Sequence, residues 1–221
     1  MDPILHFLNN NPFIYIFLAL PFIIAAQVYF LVRKMSRPEK MLEPLNAITP
    51  QEEQVLITYQ DWLQQTKLDY LCIFKFGAIR AVIYRQRDTQ RFFSFYFHQN
   101  RTSFCVDTCF DDNECVCLTT ATSGSIGMFP VRPGLYQQSF PNVPPETVWQ
   151  KHLDAEQYLI GRFSIKTQPL SLSYDQLMLK GIVLRMQFVR SIPLYPFRAI
   201  YWFFVTRSKM ANRSIQDQYS Q

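Results

Sequence analysis

Six glycines and three histidines in 221 residues leave this chain short of the residue types on which phosphate-cradling loops and acid–base centres most depend. It has no dinucleotide fingerprint, phosphate loop, HExxH pair or CxxC knuckle, so no familiar cofactor motif is present and no cofactor is expected. Charge is sparse too: Asp, Glu, Lys and Arg make up 18% of the chain against 48% hydrophobic residues, which excludes a disordered polyampholyte and means that much of the chain is buried, in protein or in lipid. The length fits one compact domain plus an anchor, and is too short for two full-sized domains beside that anchor.

The longest charge-free stretch is residues 12–32, PFIYIFLALPFIIAAQVYFLV, with Gln27 as its only strongly polar side chain. At about 1.5 Å per residue it is long enough for a bilayer core of about 30 Å. It lacks the polar stripe of a soluble helix, and neither a basic segment before it nor an A-x-A pattern after it marks a cleavable signal. Pro21 sits mid-span and Tyr15 and Tyr29 near the ends. Arg33, Lys34, Arg37 and Lys40 follow at once, offset by Glu39 alone, so the positive-inside bias predicts a single-pass anchor over 1–35 with the rest of the chain cytoplasmic. The sequons at Asn100 and Asn212 matter only in the opposite orientation.

Residues 36–48 carry two prolines and no clear period, and read as a linker. Thr49-Pro50-Gln51-Glu52 is a capping box that opens an amphipathic helix up to about Lys67. Runs rich in β-branched and aromatic residues follow at 69–76, 79–86, 91–98, 102–110 and 115–121, joined by short turn-forming connectors, as in an antiparallel meander of about five strands. The Gly-, Ser- and Pro-rich segment 122–145 reads as a long loop and a candidate contact surface; a second helix is expected over about 145–162.

Ser173-Tyr174-Asp175-Gln176 is another capping box, opening a helix to about Ser191 on which Arg185 intrudes into the apolar side. The run that follows is too interrupted by Pro193, Pro196 and Arg198 to span a bilayer. Its Tyr201, Trp202 and Phe203 beside Arg198, Arg207 and Lys209 match an interfacial anchor. Residues 171–221 hold seven basic residues against two acidic, and residues 33–40 four against one, whereas 41–170 hold eleven against thirteen. Positive charge thus concentrates where an anionic leaflet would lie; the slightly acidic middle, with no base-reading motif, argues against nucleic acid as a partner.

Four cysteines cluster in CVDTCFDDNECVC. A three-residue loop at Asp111–Asn113 would set Cys109 opposite Cys115 and Asp107 opposite Cys117, with Cys105, Cys109, Cys115 and Cys117 on one face. Cys109, Cys115 and Cys117 are the candidate metal or redox ligands, but the spacing lacks a knuckle and Cys105 lies about 13 Å from Cys109 along a strand; small buried hydrophobes are the competing reading. Asp107, Asp111, Asp112 and Glu114 do not match a calcium loop and suit turn chemistry. His98 and His152 could serve as bases or simply pack, and Ser123-Gly-Ser125 resembles a nucleophile elbow only loosely.

The expected architecture is therefore α+β: an N-terminal transmembrane helix (1–35), a linker (36–48), a cytoplasmic domain (49–170) with a mainly antiparallel sheet flanked by helices, and a basic, aromatic membrane-associated segment (171–221). The leading functional expectation is a non-catalytic accessory or scaffold protein contacting the bilayer and a membrane protein complex. Two alternatives stand beside it: a membrane-proximal enzyme or hydrophobic-ligand binder with a pocket between the sheet and the C-terminal helices, fronted by His98, His152 or the cysteines, and a cysteine-based metal or redox module.

Overall fold

A computed structural model describes residues 13–99, 101–122 and 129–220, with side chains from residue 19 on. The sequon at Asn100, the Ser123-Gly-Ser125 segment and the first residues of the anchor lie outside the described residues. The fold is α+β, a seven-strand mixed sheet with helices on both faces. Helix α1 runs over Phe13–Met35 and, after a 3-10 turn at Pro38–Lys40, the short strand β1 (Leu42–Pro44) leads to α2 (Pro50–Thr58) and α3 (Gln60–Gln65). The sheet continues with β2 (Leu68–Phe76), β3 (Ile79–Gln86), β4 (Arg91–His98), β5 (Arg101–Asp111), β6 (Val116–Ala121) and β7 (Leu135–Ser139). Helices α4 (Pro145–Phe163), α5 (Tyr174–Ser191) and α6 (Tyr195–Tyr201), a π-helical turn at Trp202–Thr206, α7 (Arg207–Met210) and α8 (Ile215–Tyr219) complete it.

Strand order follows the sequence from β1 to β7, antiparallel throughout except that β7 runs parallel to β6. The expectation of about five strands falls short by the two edges. β1 lies in the Pro-containing segment 36–48, where Leu42 to Pro44 pair with Phe76 to Phe74; a proline is tolerated there because an edge strand has a free side. β7 lies inside the expected loop, and the residues between β6 and β7 supply the dozen or so that a parallel connection needs. The helix expected up to Lys67 breaks at Tyr59 (φ −108°, ψ 9°), giving α2 and α3. The Thr49 capping box is present, with the Thr49 amide donating to Glu52 at 2.8 Å.

One face of the sheet is covered by α2, α3, α4 and α8. Its core is aromatic: Phe93, Phe95, Trp62 and Trp149 pack with Leu56, Leu63, Val82, Val106 and Val148, and the Trp62 and Phe93 rings meet edge to face at 4.9 Å. Toward β6 and α8 this core continues through Phe110, Leu118, Ala155, Leu159 and Ile215. The other face carries Phe74, Ala81, Ile83, Phe92 and Cys109 under Tyr174 and Leu177 of α5. Beyond the sheet, α5 and α6 pack on α1 through Val32, Met186, Val189 and Ala199. Among the described residues no helix is long and apolar enough to cross a membrane.

Candidate functional site

The two faces hold different polar chemistry. On the α4 face, His152 is fully buried between two threonines, with Nε2 2.8 Å from Thr108 Oγ1 and Nδ1 3.0 Å from Thr120 Oγ1. Burial, reinforced by Arg91, pushes its pKa down to about 3, although Glu156 lies 4.0 Å away. That carboxylate is engaged elsewhere: Arg91 grips it with Nε and a terminal nitrogen at 2.7 and 3.0 Å, and Thr108 donates to it at 3.1 Å. His152 is thus a neutral packed histidine on the face opposite the cavity described below, and does not front it.

The α5 face is incompletely filled. A cavity of about 810 Å3 lies between β4–β6, α5 and the segment 132–143, within the ~300–1,000 Å3 range of small-molecule sites. Alternation along the strands selects its sheet wall: Cys105, Asp107 and Cys109 of β5 share one side, and pairing with β6 adds Cys117 and Thr119. Asp107 is held there by Thr119 Oγ1, which donates at 2.6 Å, and by Tyr174 and Cys105; burial still raises its pKa. The Tyr96 and Tyr174 phenols join it with Ser94, whose Oγ is 3.3 Å from the Tyr174 hydroxyl, and burial drives both phenol pKa values well up. Phe92, Leu177, Met178 and Ile182 give the remaining wall its apolar character.

The register of the cysteine hairpin differs from the three-residue loop expected. Cys109 pairs with Cys117 and Asp107 with Thr119, a bulge at Phe110 absorbs a residue, and Cys115 leaves the strand at φ 51°. Three thiols, Cys105, Cys109 and Cys117, therefore share the cavity face, while Cys115 sits in the turn with its thiol toward the Asp112 carbonyl at 3.8 Å. All are free, as is Cys72, and the Cys117 thiol bonds to Cys109, lowering the Cys109 pKa and raising its own. Among the described residues no group of three His, Cys, Asp or Glu side chains is placed to hold a metal ion. The acidic quartet is dispersed as well. Asp111 accepts from the Asn113 amide at 2.7 Å within the turn, whereas Asp112 binds the Ser171 amide and hydroxyl and the Leu172 amide, which hold its pKa down.

Three arginines line the same cavity, Arg101 exposed and Arg132 and Arg185 half-buried. Arg185, the intruder on the apolar side of α5, donates to the Phe129 carbonyl at 2.9 Å; Arg132 donates to the carbonyls of Pro133, at 2.9 Å, and Cys115. Burial, with Arg132 adding to it, lowers the Arg185 pKa to about 10. Arg185 was legible in the sequence as a charge on the wrong side of a helix; Arg132 and Gln137 had no such signal. His98 also lines the cavity, at its exposed edge. Thr108 also borders the cavity, but its hydroxyl meets His152 on the α4 face, so this hydroxyl–histidine pair is turned away from the cavity.

The residues expected at a membrane interface are exposed or half-buried. Arg33, Lys34 and Arg37 are exposed at the end of α1, and Arg198, Tyr201, Phe203 and Lys209 are exposed along α6, the π turn and α7, with Trp202 and Arg207 half-buried. Arg207 lies over the Phe203 ring at 4.7 Å. Around them stand bare apolar side chains, Phe22, Phe30, Leu194 and Phe204 each being at least 63% exposed. A smaller hollow of about 330 Å3 between β7 and the 202–211 run shares Gln137 and Pro141 with the large cavity. Compared with protein-family models, curated proteins and solved structures, the chain matches none.

Proposed function

We propose that the protein is a non-catalytic, membrane-seated binding protein that holds a hydrophobic ligand between its sheet and α5. The observation that carries this reading is the cavity of about 810 Å3, apolar over most of its wall yet provided with a few convergent polar groups. The uncharged stretch 12–32 and the basic residues that follow support an N-terminal transmembrane anchor with the sheet domain on the cytoplasmic side. The exposed aromatic and basic residues of 194–209 support an interfacial contact beside it. The smaller hollow, which shares Gln137 and Pro141 with the cavity and lies against this run, is the side from which a ligand would enter. The test is to purify the full chain in mild detergent, extract it with organic solvent and weigh what is released by mass spectrometry. A stoichiometric apolar molecule is expected, and an empty extract across several detergents refutes the reading.

A second reading, an accessory or scaffold subunit of a membrane protein complex, is favoured by one observation. α1 and α6 pack together, Phe22 meeting Phe197 edge to face at 5.7 Å, and yet leave outward apolar side chains bare, as a helix pair does when further helices pack on it in lipid. A stoichiometric membrane protein co-purifying with the chain, lost when Phe22 and Phe204 are replaced by serine, supports this role; a lone chain in every mild detergent counts against it.

A further inference from the structure

We infer that the cavity selects single-chain amphiphiles with an acidic head, the carboxylate or phosphate seated between Arg132 and Arg185 and the chain lying along the α5 wall. This rests on the binding reading above and adds the chemistry of the ligand's polar end. Among the described residues four buried side-chain nitrogen or oxygen atoms have no hydrogen-bond partner, and three of them, Nε of Arg132, Nε of Arg185 and Oε1 of Gln137, belong to residues lining this one cavity. Unpaired buried polar atoms are costly and rare; the two arginine Nε–H groups are donors and point to an acceptor in the cavity, whereas the Gln137 oxygen is itself an acceptor and takes a hydrogen from a hydroxyl or protonated acid oxygen.

The charge balance names that group. Neither arginine forms an ion pair with a carboxylate among the described residues, whose salt bridges all lie elsewhere. Each guanidinium has five N–H donors, and the carbonyls it meets leave several unused. Asp107, the acidic residue of the cavity wall, is already committed to Thr119, Tyr174 and Cys105 and does not neutralise the pair. Two cations close enough for one to depress the other's proton affinity are relieved by an anion between them, and the planar guanidinium fork matches carboxylate and phosphate oxygens. Phe92, Leu177, Met178 and Ile182 leave an alkyl chain as the complement to the rest of the wall.

The experiment is native mass spectrometry of the full chain in a non-ionic detergent, titrated with dodecanoate, dodecyl phosphate, dodecanol and inorganic phosphate. The acids are expected to bind about tenfold or more tighter than dodecanol. In Arg132→Gln/Arg185→Gln they fall to the dodecanol level while dodecanol itself is unchanged; Arg132→Gln alone, outside the secondary-structure elements, gives part of that loss with no change to α5. Gly181→Phe, at a position on the cavity wall where an added Cβ meets nothing within 4 Å, is expected to remove binding of all three amphiphiles, with an unchanged unfolding midpoint showing that the fold is kept. A preference for dodecanoate or for dodecyl phosphate says which acidic head the pair is built for. Equal binding of acid and alcohol overturns the head-group inference and leaves the binding reading standing. Inorganic phosphate binding as tightly as dodecyl phosphate overturns the amphiphile, and no binding of any probe overturns both.

Discussion

Replacing His152 by glutamine should remove most of the protein's sensitivity to mild acid. In the fold His152 is neutral, with its pKa pushed from the ordinary 6.5 to about 3 by burial and by Arg91. In the unfolded chain it regains the ordinary value. Below about pH 6.5 the unfolded chain therefore binds a proton that the fold refuses, so the contribution is fully present above 6.5 and is lost as pH falls toward 3. At about 1.4 kcal/mol per pH unit, going from pH 7.5 to 5.0 costs about 2 kcal/mol from this residue alone. The other groups facing the ring are Glu156, held by Arg91 and Thr108, and the two threonines that bracket it, so the carboxylate does not draw a proton onto the imidazole. Denaturant unfolding of the full chain in mild detergent at the two pH values measures the difference for wild type and His152→Gln. Equal losses in the two proteins would refute the assignment of a neutral buried imidazole.

Arg91→Met strands the buried Glu156 carboxylate and is expected to cost about 3–5 kcal/mol, most of it recovered in Arg91→Met/Glu156→Leu; a double variant no more stable than the single one contradicts this, with unfolding midpoints as the readout. Cys105, buried and with its pKa raised by burial and by Asp107, should resist iodoacetamide at pH 8 in the native protein and alkylate fully once the chain is denatured, as read by peptide mass spectrometry; fast native alkylation refutes its burial.

Local signals carried much of the architecture. β3 and β4 fall where alternation and aromatic content placed them, and the capping boxes at Thr49 and Ser173 open α2 and α5, because these features are fixed by residues within one turn or one strand. β7 was hidden because its pairing is parallel and its buried positions are polar: Gln137, Gln138 and Ser139 show no hydrophobic alternation. Gln138 is tolerated there because Thr120, the Lys151 carbonyl and the Ile215 amide satisfy it, partners that only the folded chain brings together. The cysteine register was missed for a related reason. A bulge at Phe110 and a left-handed Cys115 shift every pair beyond them, and neither a phenylalanine nor a cysteine announces such a backbone. The cavity was half legible: Arg185 shows as a charge on the wrong side of a helix, whereas its convergence with Arg132 depends on how 129–134 crosses the sheet end.

The packing of α1 against α5 and α6 has a consequence in time. Phe22 and Phe197, or Val32 and Val189, are partners separated by most of the chain. At about 5–20 residues per second of synthesis, α1 waits on the order of 10 s or more before these partners leave the ribosome. For that interval its apolar surface has no cover from its own chain, so the lipid or chaperone that shelters it while the sheet is being made takes part in folding this protein.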